Sequence, residues 1–251
     1  IDGIKYYTPF TSPKEKHRKM KNTKDFRKID RIQRSLLQGY QYDIAHYATA
    51  EEKVKAEKCY LSLAKQLLDK ENHKFQYKEI EHGGRAQKYY SSVEWLLRAD
   101  MVQLCKLVTD VRFDLDDYAR DDFFRAYTTD LSLLMAMKDF SLKQHIVENT
   151  LTGNSKGGIY ECAIADALYK KGYQIYFYKN ETARKEIDVI IQKDGKLVPI
   201  EVKSGNTQAN SLKWLMKNNR DISYGYKFAD GNIGVSEEGI ITLPLYMVAF
   251  I

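Results

Sequence analysis

Apolar residues recur at helical spacing through the first half of the chain and at strand spacing through much of the second. In "DFRKIDRIQRSLLQGYQYDIAHY" (25–47), Ile29, Ile32, Leu36 and Leu37 return every three or four residues and predict a helix. "TAEEKVKAEKCYLSLAKQLLDK" (49–70) predicts a second helix. Thr49 and Glu52 are set as a capping box, and Val54, Tyr60, Leu63, Leu67 and Leu68 form its apolar stripe. A short segment closes at Gly83-Gly84, and a third helix is predicted from about Arg85 to Leu97. "MVQLCKLV" (101–108) reads as a strand, and "FFRAYTTDLSLLMAM" (123–137) begins as a strand and turns helical. Helix, short helix, helix and two strands is the order of a winged helix, expected over 49–152. Such a unit reads DNA with its third helix, where Arg85 and Lys88 lie, or packs without binding nucleic acid.

From Gly153 the texture changes. "LTGNSKGG" reads as a boundary loop. "IYECAIADALYKKGY" (159–173) predicts an amphipathic helix with Ile159, Ala163, Ile164 and Leu168 inward and Gly172 at its stop. A strand (174–180), a hairpin (185–205), a helix (211–219) and late strands follow. The fold class is therefore α/β (α+β), with a helical winged-helix-like unit ahead of a domain with a mixed sheet over 153–251. Residues 1–48 are expected to be a linker or the remnant of an upstream domain, with one helix.

Composition narrows the picture. The 251 residues are 43% hydrophobic and 29% charged, ordinary for a globular protein. No apolar run approaches the ~18 residues of a membrane helix, so no membrane partner is expected. Cys59, Cys105 and Cys162 are odd in number and scattered, which points to reduced thiols in a cytoplasm. The net charge of +6 is concentrated in residues 1–28, where nine Lys/Arg stand against three Asp/Glu. The run at 14–28 suits nucleic acid phosphates or a solvated tail. No GxxxxGK[ST] loop occurs, so ATP is expected only through a domain outside this chain. The opening "IDGIKYY", without an initiator Met, is expected either of a fragment of a longer protein or of a trimmed chain.

"KEIDVIIQKDGKLVPIEVKSG" (185–205) carries the candidate chemistry. Asp194-Gly195 is a strong two-residue hairpin turn. That loop pairs Ile191 with Val198, Val189 with Ile200 and Ile187 with Val202, an apolar face. On the other face Asp188 lies opposite Glu201, and Glu186 opposite Lys203. Like charges directly opposite destabilise a sheet, and a divalent cation offsets them. Lys203, on the same face, is placed to acidify a water or to stabilise charge on a phosphate. The bland alternative is an exposed polar face with Lys203 paired to Glu186.

Glu161 in "YECAIADAL", Asp188 in "EIDVII" and Glu201 with Lys203 in "PIEVKSG" together resemble the PD-(D/E)XK nuclease superfamily, the restriction-endonuclease-like fold. The resemblance implies that Asp188, Glu201 and the Val202 carbonyl hold Mg²⁺ or Mn²⁺, with Glu161 as an accessory ligand, and that Lys203 activates water. From about residue 25 onward, "RIQRSLLQGYQYDIAHY", "FFRAYTTDLSLLMA" and "GGIYECAIADAL" are similar to the C-terminal half of prokaryotic AAA-type ATPases of the DUF4143 group. In these an ATPase domain precedes a winged-helix segment and a nuclease-like domain. Two functions follow as expectations. One is a Mg²⁺-dependent DNA endonuclease module driven by the ATPase domain. The other is a non-catalytic DNA- or protein-binding module that regulates it. Residues 156–251 carry 13 Lys/Arg against 11 Asp/Glu, a weak basic balance for gripping a duplex.

Overall fold

A computed structural model describes residues 26–68, 74–205 and 207–251. The expected linker over 1–24 and most of the basic run at 14–28 lie outside the described residues. The chain divides into two compact units. One runs to Gln103 and resumes over Thr128–Ser155, and the other comprises Leu104–Tyr127 and Lys156–Ile251.

The first unit is helical: α1 (Phe26–Tyr47), α2 (Glu52–Leu68), α3 (Ala86–Arg98), α4 (Leu131–Ala136) and α5 (Phe140–Val147). The buried face of α1 is Asp30, Gln33, Leu37 and Ile44, whereas Ile32 is 49% exposed. The face is rotated from the expected stripe because Asp30 is ion-paired inside, with Arg34 at 2.8 Å and with Lys143 of α5. Arg34 also donates to the carbonyls of Ala136 (3.2 Å) and Lys138 (2.6 Å), acceptors that the end of α4 leaves open. At α2 half of the capping box forms: Thr49 Oγ1 accepts from the Glu52 N–H at 3.3 Å. The Glu52 carboxylate turns instead to the hydroxyls of Ser91 and Ser92 on α3. Val54 of the expected stripe is exposed, and Ala56 and Cys59 are buried with Tyr60, Leu63, Leu67 and Leu68.

Gly84 passes so close to the chain that an added Cβ would lie 2.2 Å from the Tyr77 carbonyl oxygen. Gly84→Ala is expected to cost roughly 2–3 kcal/mol, since the obstacle is backbone and cannot swing aside. Chemical denaturation checks it; an unchanged midpoint would contradict it.

The second unit is built on an eight-stranded sheet: β1 (Val102–Val108), β2 (Ala119–Thr128), β3 (Tyr176–Asn180), β4 (Lys185–Lys193), β5 (Lys196–Val202), β6 (Gly225–Phe228), β7 (Gly234–Val235) and β8 (Ile240–Leu243), in the order β2-β1-β3-β4-β5-β6-β8-β7. Pairing is mixed: β1–β3, β5–β6 and β6–β8 are parallel, while β3–β4, β4–β5 and β7–β8 are antiparallel. Helix α6 (Gly153–Lys170) precedes β3, and α7 (Asn210–Asn218) lies between β5 and β6. α6 begins inside the stretch expected as a loop and ends as expected at Gly172, whose φ is +81°. One core cluster joins Val108, Tyr176, Ile187, Ile190 and Leu197 to Leu212 and Leu215 of α7.

This topology corrects the winged-helix expectation. The two strands expected as a wing, β1 and β2, form one edge of the large sheet, with Lys106, Leu107 and Val108 paired in parallel to Tyr176, Phe177 and Tyr178. The reason is physical. A short apolar strand shows its partner only by period, and a parallel partner is reached by a crossover that the local pattern does not record. What stands is the fold class: helices first, then a mixed α/β sheet.

Candidate metal and phosphodiester site

The hairpin forms around two residues of positive φ, Asp194 (50°) and Gly195 (70°), the combination a tight two-residue turn requires. Its pairs are those expected, from Lys193–Lys196 through Ile191–Val198 to Val189–Ile200. Asp188 and Glu201 are not paired with each other there; Glu201 pairs instead with Lys227 of β6.

A bulge explains why. On the other side of β4, Tyr176 of β3 pairs with Ile190 but Tyr178 pairs with Ile187. Asp188 and Val189 therefore stand together opposite the single Phe177. The extra residue shifts the alternation, so Ile187 joins Ile190 in the core cluster and leaves the expected row of Val189 and Ile191. Bulges re-aim side chains in this way beside functional sites. Freed from the ladder, the half-buried Asp188 accepts the Val202 N–H on Oδ2 at 2.8 Å. Burial, and then the neighbouring charge of Glu161, push its carboxyl up to about 7.

Glu201 is 2% exposed, and a carboxylate so buried needs partners. It has two. Oε2 accepts the Leu212 N–H at 2.9 Å, capping α7, whose own N-cap residue, Ala209, offers no side-chain bond. Oε1 lies 2.6 Å from Lys203 Nζ. Burial pulls the Lys203 ammonium down, but that bond and the carboxylates of Glu201, Asp188 and Glu161 outweigh it and hold it above its ordinary value. Lys203 is thus a fixed cation here and a poor base. The bland alternative placed Lys203 on Glu186; Glu186 is instead paired with Arg125.

Glu161 reaches in from α6. Its Oε2 accepts from Arg125 at 3.2 Å and from the Tyr127 hydroxyl at 3.4 Å. Arg125, in β2, is 3% exposed. It also donates to the Asp188 carbonyl at 3.4 Å and stacks over the Phe177 ring at 4.5 Å. The sequence reading passed over this residue. Its signal was an isolated arginine in an apolar strand, "FFRAYTT", which folding buries only against a counter-charge.

Hard oxygen donors such as Asp188 and Glu201 suit Mg²⁺ or Mn²⁺. Among the described residues, however, no three or more His, Cys, Asp or Glu side chains are gathered to hold an ion. Each candidate carboxylate turns to a protein donor, and a bound ion would need Lys203 to release Glu201 Oε1. The donor chemistry fits the metal; the resting arrangement is a closed, self-paired form of it. The expected nucleic-acid residues belong to the helical unit. Arg85 is exposed at the start of α3, and Lys88 is paired with Glu81. Hydrogen bonds from Lys88, then from Lys58, hold Glu81 down to about 2. Glu81 is thus shared by two lysines, and this exposed group keeps one net positive charge. No helix among the described residues is long and apolar enough to cross a membrane.

The fold and this cluster define the chain as a helical unit joined to an α/β unit with an acidic, lysine-bearing sheet site. Residues 17–144 match a domain of unknown function, DUF8612, and residues 156–247 match another, DUF4143. The first match spans just over half of the 251 residues, and the chain belongs to the DUF8612 family. A search of curated proteins gives no match. Among solved structures, the chain is similar to Can2 from Sulfobacillus thermosulfidooxidans, determined in complex with cyclic tetra-adenylate. Identity is 14%, coverage is 86% of this chain and 54% of that one, and the TM-score is 0.26. The chain thus spans about half the length of that protein, and at this score nothing of its ligand or chemistry transfers.

Proposed function

We propose that the α/β unit is a divalent-metal-dependent phosphodiesterase module acting on DNA, coupled in the full-length protein to an ATPase domain. The observation that carries this reading is the concentration of Asp188, Glu161, Glu201 and Lys203 about the bulged end of β4 and the end of β5. Groups of titratable residues shifted by burial and by one another's charge mark candidate functional sites. Asp188, Glu201 and the Val202 carbonyl would hold Mg²⁺ or Mn²⁺, with Glu161 nearby. The ion, when bound, would supply a polarised water and neutralise phosphate charge. Lys203, kept protonated, would stabilise negative charge growing on the phosphate oxygens. Glu201, by capping α7, fixes the strand end from which Lys203 projects.

A second reading is a non-catalytic regulatory module that binds DNA or a protein. It is favoured by the fact that Glu161, Asp188 and Glu201 all have protein partners. Incubating full-length protein with plasmid and single-stranded DNA, with Mg²⁺ or Mn²⁺, separates the two. The nuclease reading expects cleavage that EDTA abolishes and that Lys203→Ala lowers by about a hundredfold or more. Cleavage equal in wild type and Lys203→Ala, or none in either metal, leaves the regulatory module.

A further inference from the structure

We propose that Arg125 is the resident cation of the acidic site. It is a positioning residue that holds Glu161 and Glu186 beside Asp188 and, on the metal reading above, sets the site's affinity for a divalent ion.

The geometry is that of a hub. From β2, one nitrogen of the guanidinium donates to Glu161 Oε2 (3.2 Å) on α6 and to the Asp188 carbonyl (3.4 Å), and the other donates to Glu186 on β4. Phe177 covers its face at 4.5 Å, and the side chain is only 4% exposed. A planar fork serves several acceptors at once; an ammonium would serve them only one point at a time. The charge balance points the same way. Glu161, Glu186, Asp188 and Glu201 are four carboxylates, and Arg125 with Lys203 are two cations. With every carboxylate ionised, two negative charges remain, which is what one divalent ion neutralises. Without Arg125 three remain, and the pull on a divalent ion rises.

The test uses Arg125→Met, Arg125→Lys and Glu161→Gln, singly and combined, in full-length protein. Melting in EDTA is read first. Arg125→Met is expected to lower the melting temperature by roughly 10 °C, because it takes the arginine charge away from the largely buried Glu161. Glu161→Gln is expected to lower it in the wild type and to raise it in the Arg125→Met background. That reversal of sign is what a mere packing role would not produce. If Arg125→Met does not fold, the same comparison is made in Arg125→Lys. Free Mn²⁺ is then titrated by electron paramagnetic resonance. Arg125→Met is expected to bind Mn²⁺ about tenfold tighter than wild type, and Arg125→Lys to stay near it. Glu161→Gln destabilising both backgrounds alike would overturn the assignment. Weaker or unchanged Mn²⁺ binding in Arg125→Met would overturn the control of affinity. The sign reversal with no Mn²⁺ bound by any form would uphold Arg125 as counter-ion and reject the metal reading alone.

Discussion

Glu201→Ala is expected to destabilise the protein by roughly 3 kcal/mol. Two losses add. The Leu212 N–H, now bonded to Oε2 at 2.9 Å, becomes an uncapped donor at the start of α7, a loss of about 1 kcal/mol. Lys203, now 2.6 Å from Oε1, keeps its charge in a largely covered position without its partner, a further ~2 kcal/mol. For a chain of this size that corresponds to a melting temperature lower by about 6–12 °C. Glu201→Gln divides the two losses. Its amide oxygen still accepts from Leu212, so about a third of the lost stability should return. Thermal and urea unfolding of both variants in EDTA measure this, and hydrogen exchange at the Leu212 amide should quicken in the alanine variant alone. Equal stability of Glu201→Ala and wild type would mean that Glu201 does not cap α7. The variant also bears on function. On the nuclease reading, a loss of cleavage in Glu201→Ala would have two causes, a missing ligand and a loosened α7, and Glu201→Gln would keep the helix while removing the charge.

The hairpin that carries Asp188 and Glu201 was legible because everything that fixes it is local. Asp194-Gly195 sets the loop length, and the loop length sets the register. The register holds from Lys193–Lys196 to Val189–Ile200. It fails one residue further on, where the cause is not local. The bulge at Asp188–Val189 depends on how Tyr176, Phe177 and Tyr178 of β3 lie against β4, and no pattern within 185–205 records that. The same divide runs through the rest of the fold. Ile159, Ala163, Ile164 and Leu168 of α6 are buried as their spacing implies. The face of α1 was misread because Asp30 is carried inside by its ion pairs with Arg34 and Lys143, and polarity alone argues for the outside. The strands at 102–108 and 119–128 were legible as strands, the second only from Phe123, but not as the edge of the large sheet. Arg125 was missed for the reason that makes it informative: its counter-charges, Glu161 and Glu186, are supplied by α6 and β4, remote in sequence.

Asp188→Asn is expected to stabilise the metal-free protein, and the gain should grow with pH. Burial and the charge of Glu161 hold the folded carboxyl up at about 7, against about 4 in the unfolded chain. Between those values the folded state keeps a proton that the unfolded state has released. Folded protein therefore binds more protons, and stability falls as pH rises through the window from about 4 to 7. The full cost is present above pH 7. Three pH units would amount to about 4 kcal/mol, and solvent screening at this half-buried position reduces that to roughly 2 kcal/mol. Asparagine removes the charge yet keeps an oxygen to accept the Val202 N–H now bonded to Oδ2. Melting curves in EDTA are thus expected to coincide for Asp188→Asn and wild type near pH 4.5, and to separate by about 4–8 °C at pH 8, with the variant higher. A variant less stable than wild type at pH 8, or a difference that does not change with pH, would show that Asp188 is not a strained carboxylate. Millimolar Mn²⁺ completes the experiment. It should raise the melting temperature of wild type by neutralising the charge that destabilises it, and should do nothing for Asp188→Asn. The same substitution would then make the protein more stable without metal and remove the response to metal, the trade expected where a fold maintains an unfavourable charge for the sake of its chemistry.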